Sequence, residues 1–223
     1  RFLSLPRVDL VPTINPAPAR TAMGSPEAAR RLIAMAQPIR GTPVETYLAS
    51  RCIMPIHGAG ALRYHPSCYY RPDDGGPAER RPAMIASVTD LQGRITGAHR
   101  TWLAPDGSGK AAVPTPRRAM GNLLGHAVRF GAAEDVLTVG EGIETMLSLR
   151  AALPGMPMAA ALSAGHLGAL EIPRSLRRLY IARDADPAGD KAAATLTARA
   201  VAVGIAVRVL SPRGGDFNED LQA

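Results

Sequence analysis

The 223-residue chain holds only two cysteines, Cys52 and Cys68, sixteen positions apart and outside any C-x-x-C pair. That usage excludes a disulfide-built scaffold, and buried or partly buried thiols are expected. His57, His65, His99, His126 and His166 show no H-x3–5-H spacing, so no zinc is expected either. Lysine is as scarce: Lys110 and Lys191 are the two lysines among 26 basic residues. No run approaches eighteen apolar residues and no signal peptide is visible, so no membrane partner and a cytoplasmic location are expected. The length allows one large or two modest domains with a real core. The sequence begins at Arg1 rather than Met, which suggests a longer parent.

Charge is divided unevenly. Residues 1–133 carry seventeen Lys and Arg against eight Asp and Glu, whereas residues 134–223 carry nine against eleven. A basic half is where polyanions dock, because arginines that neutralise phosphates supply sequence-independent affinity for nucleic acid. A GC-rich genome would also give this arginine usage without selection for binding.

The acidic half is organised around VLTVGEGIETMLSL, residues 136–149. Val136 to Val139 is a short apolar run, Gly140 and Gly142 bracket Glu141, and Ile143, Met146, Leu147 and Leu149 then fall at helical spacing. A buried strand, a tight turn and a helix follow from this pattern. The carboxyl end of such a strand opens into the crevice of an α/β sheet, which makes Glu141 a catalytic candidate. A second strand end lies at Leu179 to Ala182. Behind it come Asp184 and Asp186, then Pro187, Gly189 and an alanine-rich helix. Two carboxylates at i, i+2 point to one side of an extended chain, and like charges held together call for a cation; hard oxygen ligands suit Mg2+ or Mn2+. The competing reading makes Asp184 and Asp186 an Asx turn capping the Pro187 helix, with Glu141 a solvated turn residue.

The GEG turn after a strand, followed some forty residues later by strand-DxD-x-AG-helix, resembles the Toprim domain of bacterial-type primases, topoisomerases and some nucleases. EGIETMLSL and DADPAGDKAA are most similar to its primase-like branch in phage, plasmid and other mobile-element proteins. The resemblance implies Mg2+ held by Glu141, Asp184 and Asp186 where phosphoryl transfer takes place. Asp216 matches the first acid of a further pair whose second position is Asn218, with Asp220 as a substitute. Thr145 stands where replicative primases carry aspartate, and Glu144 beside it either compensates or faces solvent.

Ahead of this half, residues 1–24 hold Pro6, Pro12, Pro16 and Pro18 and suggest an extended arm or linker. Ser25-Pro26-Glu27 opens one helix and Thr42-Pro43-Val44-Glu45 is a capping box for a second. VETYLASRCI resembles the YLxxRGI entry of the primase core, with Cys52 replacing glycine at little expected cost. Tyr64, Tyr69 and Tyr70 could stack bases, but a place in a small β-rich core is preferred. Ala83 to Val88 and Arg94 to Leu103 flank Asp90-Leu91-Gln92-Gly93 as a hairpin. The primase resemblance makes Arg100 and Lys110 contacts for nucleotide phosphates or template, with a solvated hairpin edge as the alternative, and Arg117 and Arg118 are further candidate phosphate contacts. Ser163-Ala164-Gly165 at another strand end could border the site, but a plain βα turn is the preferred reading.

The expected fold is therefore α/β with an α+β N-terminal part: an arm (1–24), a basic subdomain with a β-hairpin (25–133), and a parallel-sheet Toprim domain (134–223). The expected function is primer synthesis on single-stranded DNA from nucleoside triphosphates, with a replicative helicase as a possible partner. A Toprim nuclease and a non-catalytic nucleic-acid-binding module are the alternatives.

Overall fold

The computed structural model describes residues 24–56 and 59–223. All but the last residue of the expected arm, and His57, lie outside them.

Helix α1 (Pro26–Ala34) starts as its sequence dictates: the Ser25 hydroxyl accepts from the Ala28 N–H, and Pro26 occupies the first turn. Helix α2 (Pro43–Ser50) is capped by Thr42, and Glu45 reaches back to the Gly41 N–H. Its far end closes as a Schellman motif: the Ile53 N–H bonds to the Leu48 carbonyl at 2.9 Å and the Cys52 N–H to Ala49 at 2.9 Å. Cys52 sits there at φ 59°, the left-handed conformation that glycine adopts freely. The glycine of the primase-like pattern thus has a backbone reason, and Cys52 carries strain of about 1 kcal/mol or more, against the small cost expected. Cys52 is also exposed; only Cys68 is buried.

Four antiparallel strands follow: β1 (Leu62–Tyr70), β2 (Glu79–Thr89), β3 (Ile95–Trp102) and β4 (Arg117–Gly121), in that spatial order. The hairpin forms where the turn signal lies, held by Asp90, whose Oδ1 accepts from the N–H groups of Gln92 and Arg94. The sheet's two faces have different partners. On one, Ala83, Ile85, Ala98 and Trp102 pack under α1. On the other, Leu62, Met84, Ala86 and Leu103 join α2 and Ile143, Met146 and Met158 of the second half in one shared core. Tyr70 is buried edge-on against Trp102 and Tyr64 packs on the shared core, whereas Tyr69 is exposed and lies under the Arg80 guanidinium.

The second sheet contains β5 (Val128–Phe130), β6 (Val136–Gly140), β7 (Met158–Ala160), β8 (Arg178–Ala182) and β9 (Ala206–Leu210), in the order β5-β7-β6-β8-β9. Strands β7, β6, β8 and β9 are parallel and β5 is an antiparallel edge. Helices α4 (Ala164–Ala169) and α5 (Pro187–Val201) cover the face that carries Leu137, Val139, Leu179 and Ile181. Helices α3 (Ile143–Ala152) and α6 (Phe217–Gln222) lie on the other, with the N-terminal half. The alternation of strands and helices from Val136 onward matches the reading of the sequence.

Candidate active site

Gly140 at the end of β6 pairs with Ala182 of β8 and Ala160 of β7, so three strands end flush and their following residues share one edge. Gly140 has no room for a side chain: a Cβ would come within 2.9 Å of the Ala182 carbonyl oxygen and 2.7 Å of Met146 Cε. Glu141 follows it, half-buried. The Leu162 N–H donates to the Glu141 carbonyl at 2.8 Å, and the Ala164 N–H meets the Glu141 carboxyl. The Ser163-Ala164-Gly165 turn therefore borders the site.

From β8 the chain passes through Asp184 to Asp186, which caps α5 by accepting from the Gly189 N–H at 2.7 Å. Gly189 allows that helix to start hard against Asp184, since a Cβ would lie 2.6 Å from the Asp184 carbonyl oxygen. The capping alternative thus holds for one oxygen of Asp186, not for Asp184. Asp216 similarly caps α6, through the N–H groups of Asn218 and Glu219.

These acids share one field. Burial raises the Glu141 carboxyl to about 7, helped by the charges of Asp184 and Asp186. Burial, then Asp216 and Asp186, raises Asp184 as well. Glu141 Oε1 and Asp184 Oδ1 are buried without hydrogen-bond partners. Among the described residues no three Asp, Glu, His or Cys side chains form a ready-made cation cage. Two orphaned hard oxygens in a negative field nevertheless fit Mg2+ or Mn2+, which would satisfy both and remove the repulsion.

The four basic candidates fall on two faces of the first sheet. Arg100 and Arg118 point to the α1 face, where Arg100 stacks on Trp102 at 5.1 Å and Arg118 on Tyr70 at 5.0 Å. Arg118 also pairs with Asp73 at 3.0 Å. Strand alternation puts that face away from the acids. Arg117 takes the opposite side of β4, and its charge acts on Asp184. Lys110 joins it there, its ammonium 3.3 Å from Glu144. Arg117 thus acts on Asp184 and, with Lys110, on Glu144 at the junction of the two sheets, whereas Arg100 and Arg118 lie on the other face.

Glu144 neither faces solvent nor joins the acids. It is buried against the N-terminal half and accepts from the Tyr47 hydroxyl at 2.7 Å. Burial alone would raise its carboxyl; Lys110, Tyr47 and Arg117 hold it down to about 2. Half-buried His99 lies in the same field, pushed down to about 4 chiefly by burial. Thr145 is buried, with Oγ1 2.8 Å from where a Gly142 Cβ would be. Asn218 is fully buried, and its amide donates to the Arg51 carbonyl and to Ser148 Oγ, both at 2.9 Å. Amide donors, which a carboxylate lacks, are what that position uses. Asp220 accepts from the N–H groups of Arg213 and Gly214 and closes the SPRGG turn instead of replacing an acid. Sequence reasoning missed Tyr47 and His99; the one signal was an aromatic and a histidine inside otherwise apolar, period-matched segments.

Residues 136–223 match the family model described as Toprim domain. The second half of the chain is a Toprim domain. Residues 23–130, ahead of it, match a model described as a domain of unknown function, DUF7146. The Toprim domain and the sheet before it together have a primase-like fold. The chain is similar to a DNA primase domain from Pseudomonas aeruginosa at 18% identity and TM-score 0.55, covering 87% of this chain and 73% of that one. It is similar to the zinc-binding and RNA polymerase domains of Aquifex aeolicus primase at 18% identity and TM-score 0.58; 87% of this chain and 56% of that longer one are covered. For the primase fragment of the bacteriophage T7 primase-helicase protein the values are 16%, 0.50, 83% and 68%. No protein of curated function matches the chain.

Proposed function

We propose that this chain is a primase-like nucleotidyltransferase that makes short RNA primers on single-stranded DNA, in a replication or transfer protein of a phage, plasmid or other mobile element. The observation that carries the reading is the pair of orphaned carboxylate oxygens, on Glu141 and Asp184, in one negative field, with the Arg117 charge acting on Asp184. Glu141, Asp184 and Asp186 would hold Mg2+ or Mn2+, with Asp216 beside them. Bound there, the cation would supply charge neutralisation at the attacking 3′-hydroxyl and the leaving pyrophosphate. Lys110 and Arg117 would orient the triphosphate from the opposite wall, since such transfer depends on positioning and fixed charge more than on covalent help from the protein. Arg100 and Arg118, on the α1 face, would contact template away from the reacting atoms. A replicative helicase is a natural partner for such an activity, and the cytoplasm its place. No helix among the described residues is long and apolar enough to cross a membrane.

The test is incubation with single-stranded DNA, labelled ribonucleoside triphosphates and Mg2+ or Mn2+, with Glu141→Gln and Asp186→Asn alongside, resolved on a denaturing gel. Short oligonucleotides lost in both variants are expected. Shortened DNA instead would make the protein a Toprim nuclease, and bound but unchanged DNA a binding module.

A further inference from the structure

Glu144 belongs to α3, yet the side chains that meet its carboxylate come from the other half of the molecule. Tyr47 of α2 donates to Oε1 at 2.7 Å, and Lys110, from the loop after β3, reaches the same oxygen at 3.3 Å. His99 of β3 and Arg117 of β4 stand in the same field. The two contacts are unequal. A 2.7 Å bond from a hydroxyl to a carboxylate is a close charge-assisted bond, whereas 3.3 Å is long for an ammonium. The Lys110 side chain also keeps 30% of its surface exposed. An ammonium has three donors, so this single pairing leaves two for another acceptor.

We propose that Glu144 is a positioning residue for polyphosphate: backed by Tyr47, it pins the Lys110 ammonium so that Lys110 and Arg117 present one prearranged cationic wall to a triphosphate. The inference rests on the nucleotidyltransferase reading in taking a triphosphate as the ligand. A lysine gives up much rotamer freedom on engaging a ligand, and a carboxylate that already holds it has removed that loss beforehand. Glu144 also repels the ligand it prepares for, so the sign of its effect is informative.

A double-mutant cycle decides the matter, read by calorimetric titration of inorganic triphosphate into the whole chain at fixed salt. The variants are Glu144→Gln, Lys110→Met and the pair; glutamine keeps an oxygen for Tyr47, and far-UV circular dichroism checks that each variant folds. Glu144→Gln is expected to weaken binding roughly tenfold, and Lys110→Met at least as much. The pair should bind no more weakly than Lys110→Met alone, because Glu144 acts through Lys110. Tyr47→Phe, which leaves the ion pair and removes its backing, should weaken binding roughly threefold. Affinity in Glu144→Gln equal to or above that of the parent would overturn the positioning role, as would full additivity in the pair. If Lys110→Met itself binds like the parent, the triphosphate reading of this wall falls too. A loss in Lys110→Met without one in Glu144→Gln sinks only the inference about Glu144.

Discussion

Glu141 and Glu144 stand three residues apart at the start of one helix, and their surroundings drive them in opposite directions. Glu141 faces acids delivered by β8 and is raised to about 7; Glu144 faces a lysine and a phenol delivered by the other half of the chain and is held near 2. Nothing local separates them, since both follow the same strand. Long-range topology decides: the edge where parallel strands end gathers acids, and the joint between the sheets gathers bases. A carboxylate crowded by acids is prepared for a cation, and one crowded by bases already has its partners. Truncation should expose the contrast most strongly. Glu144→Ala strands the Tyr47 hydroxyl and the Lys110 ammonium and should cost about 2–4 kcal/mol in urea unfolding at pH 7 without divalent cation. Glu141→Gln under the same conditions should be neutral or stabilising. Equal losses would mean that the two sites are not electrostatically distinct.

Asn218→Asp sharpens the contrast from the other direction, because it supplies the second acid of the primase-like pattern. The carboxylate would lose both amide donations in a fully buried place, at about 1–3 kcal/mol. Divalent-cation affinity, followed by the rise in melting temperature with added Mg2+, should not improve. Tighter binding would show that Asn218 is a lapsed ligand and not a structural amide.

How far the sequence foretells this arrangement depends on the kind of signal. Glu141, Asp184 and Asp186 are legible because glycines and apolar runs mark strand ends, and strand ends in a parallel sheet share an edge. The joint is not legible. Tyr47, His99, Lys110 and Glu144 lie far apart in the chain, and only the docking of one sheet on the other unites them. The placing of Arg100 and Arg118 on a different face from Lys110 and Arg117 has the same origin: Arg117 and Arg118 are neighbours in sequence, but a strand sends neighbours to opposite faces. Strand β4, RRAMG, escaped notice because five residues ending in glycine show too little alternation to read. Helix α6 escaped because six residues give no period, although Asp216 is an ordinary N-cap.

The same contrast should appear in pH dependence. Glu141, at about 7 in the fold and 4.5 ordinarily, holds a proton that the unfolded chain releases, so its contribution makes stability fall as pH rises from about 4.5 to 7. Asp184 is shifted the same way. Glu144, at about 2, contributes stability above 4.5 that is lost as pH falls toward 2. His99, lowered to about 4 from 6.5, contributes stability that is lost as pH falls through that range, so it opposes Glu141 and must be cancelled by comparing variants with the parent. Subtracting the parent's profile, Glu141→Gln should gain stability as pH rises from 4.5 to 7, and Glu144→Gln should lose its disadvantage below pH 4. Saturating Mg2+ should flatten the Glu141 limb, because a cation requires the ionised carboxylate. Parallel profiles for the two variants would contradict the opposite surroundings described above.

The smallest effect concerns how the N-terminal half holds its side of the joint. Tyr47 reaches Glu144 from α2, and α2 ends in the Schellman closure at Cys52, where Leu48 and Ile53 are both buried in the shared core. Cys52 adopts φ 59° and its side chain is exposed, so glycine would relieve backbone strain without opening a cavity. Cys52→Gly would also enlarge the freedom of the unfolded chain, which offsets part of the gain. The expected result is a net stabilisation of about 0.5–1 kcal/mol, with the Tyr47–Glu144 bond and the affinity for inorganic triphosphate unchanged. A loss of stability would show that the thiol makes a compensating contact, and changed triphosphate affinity would show that the end of α2 helps to set the position of Tyr47.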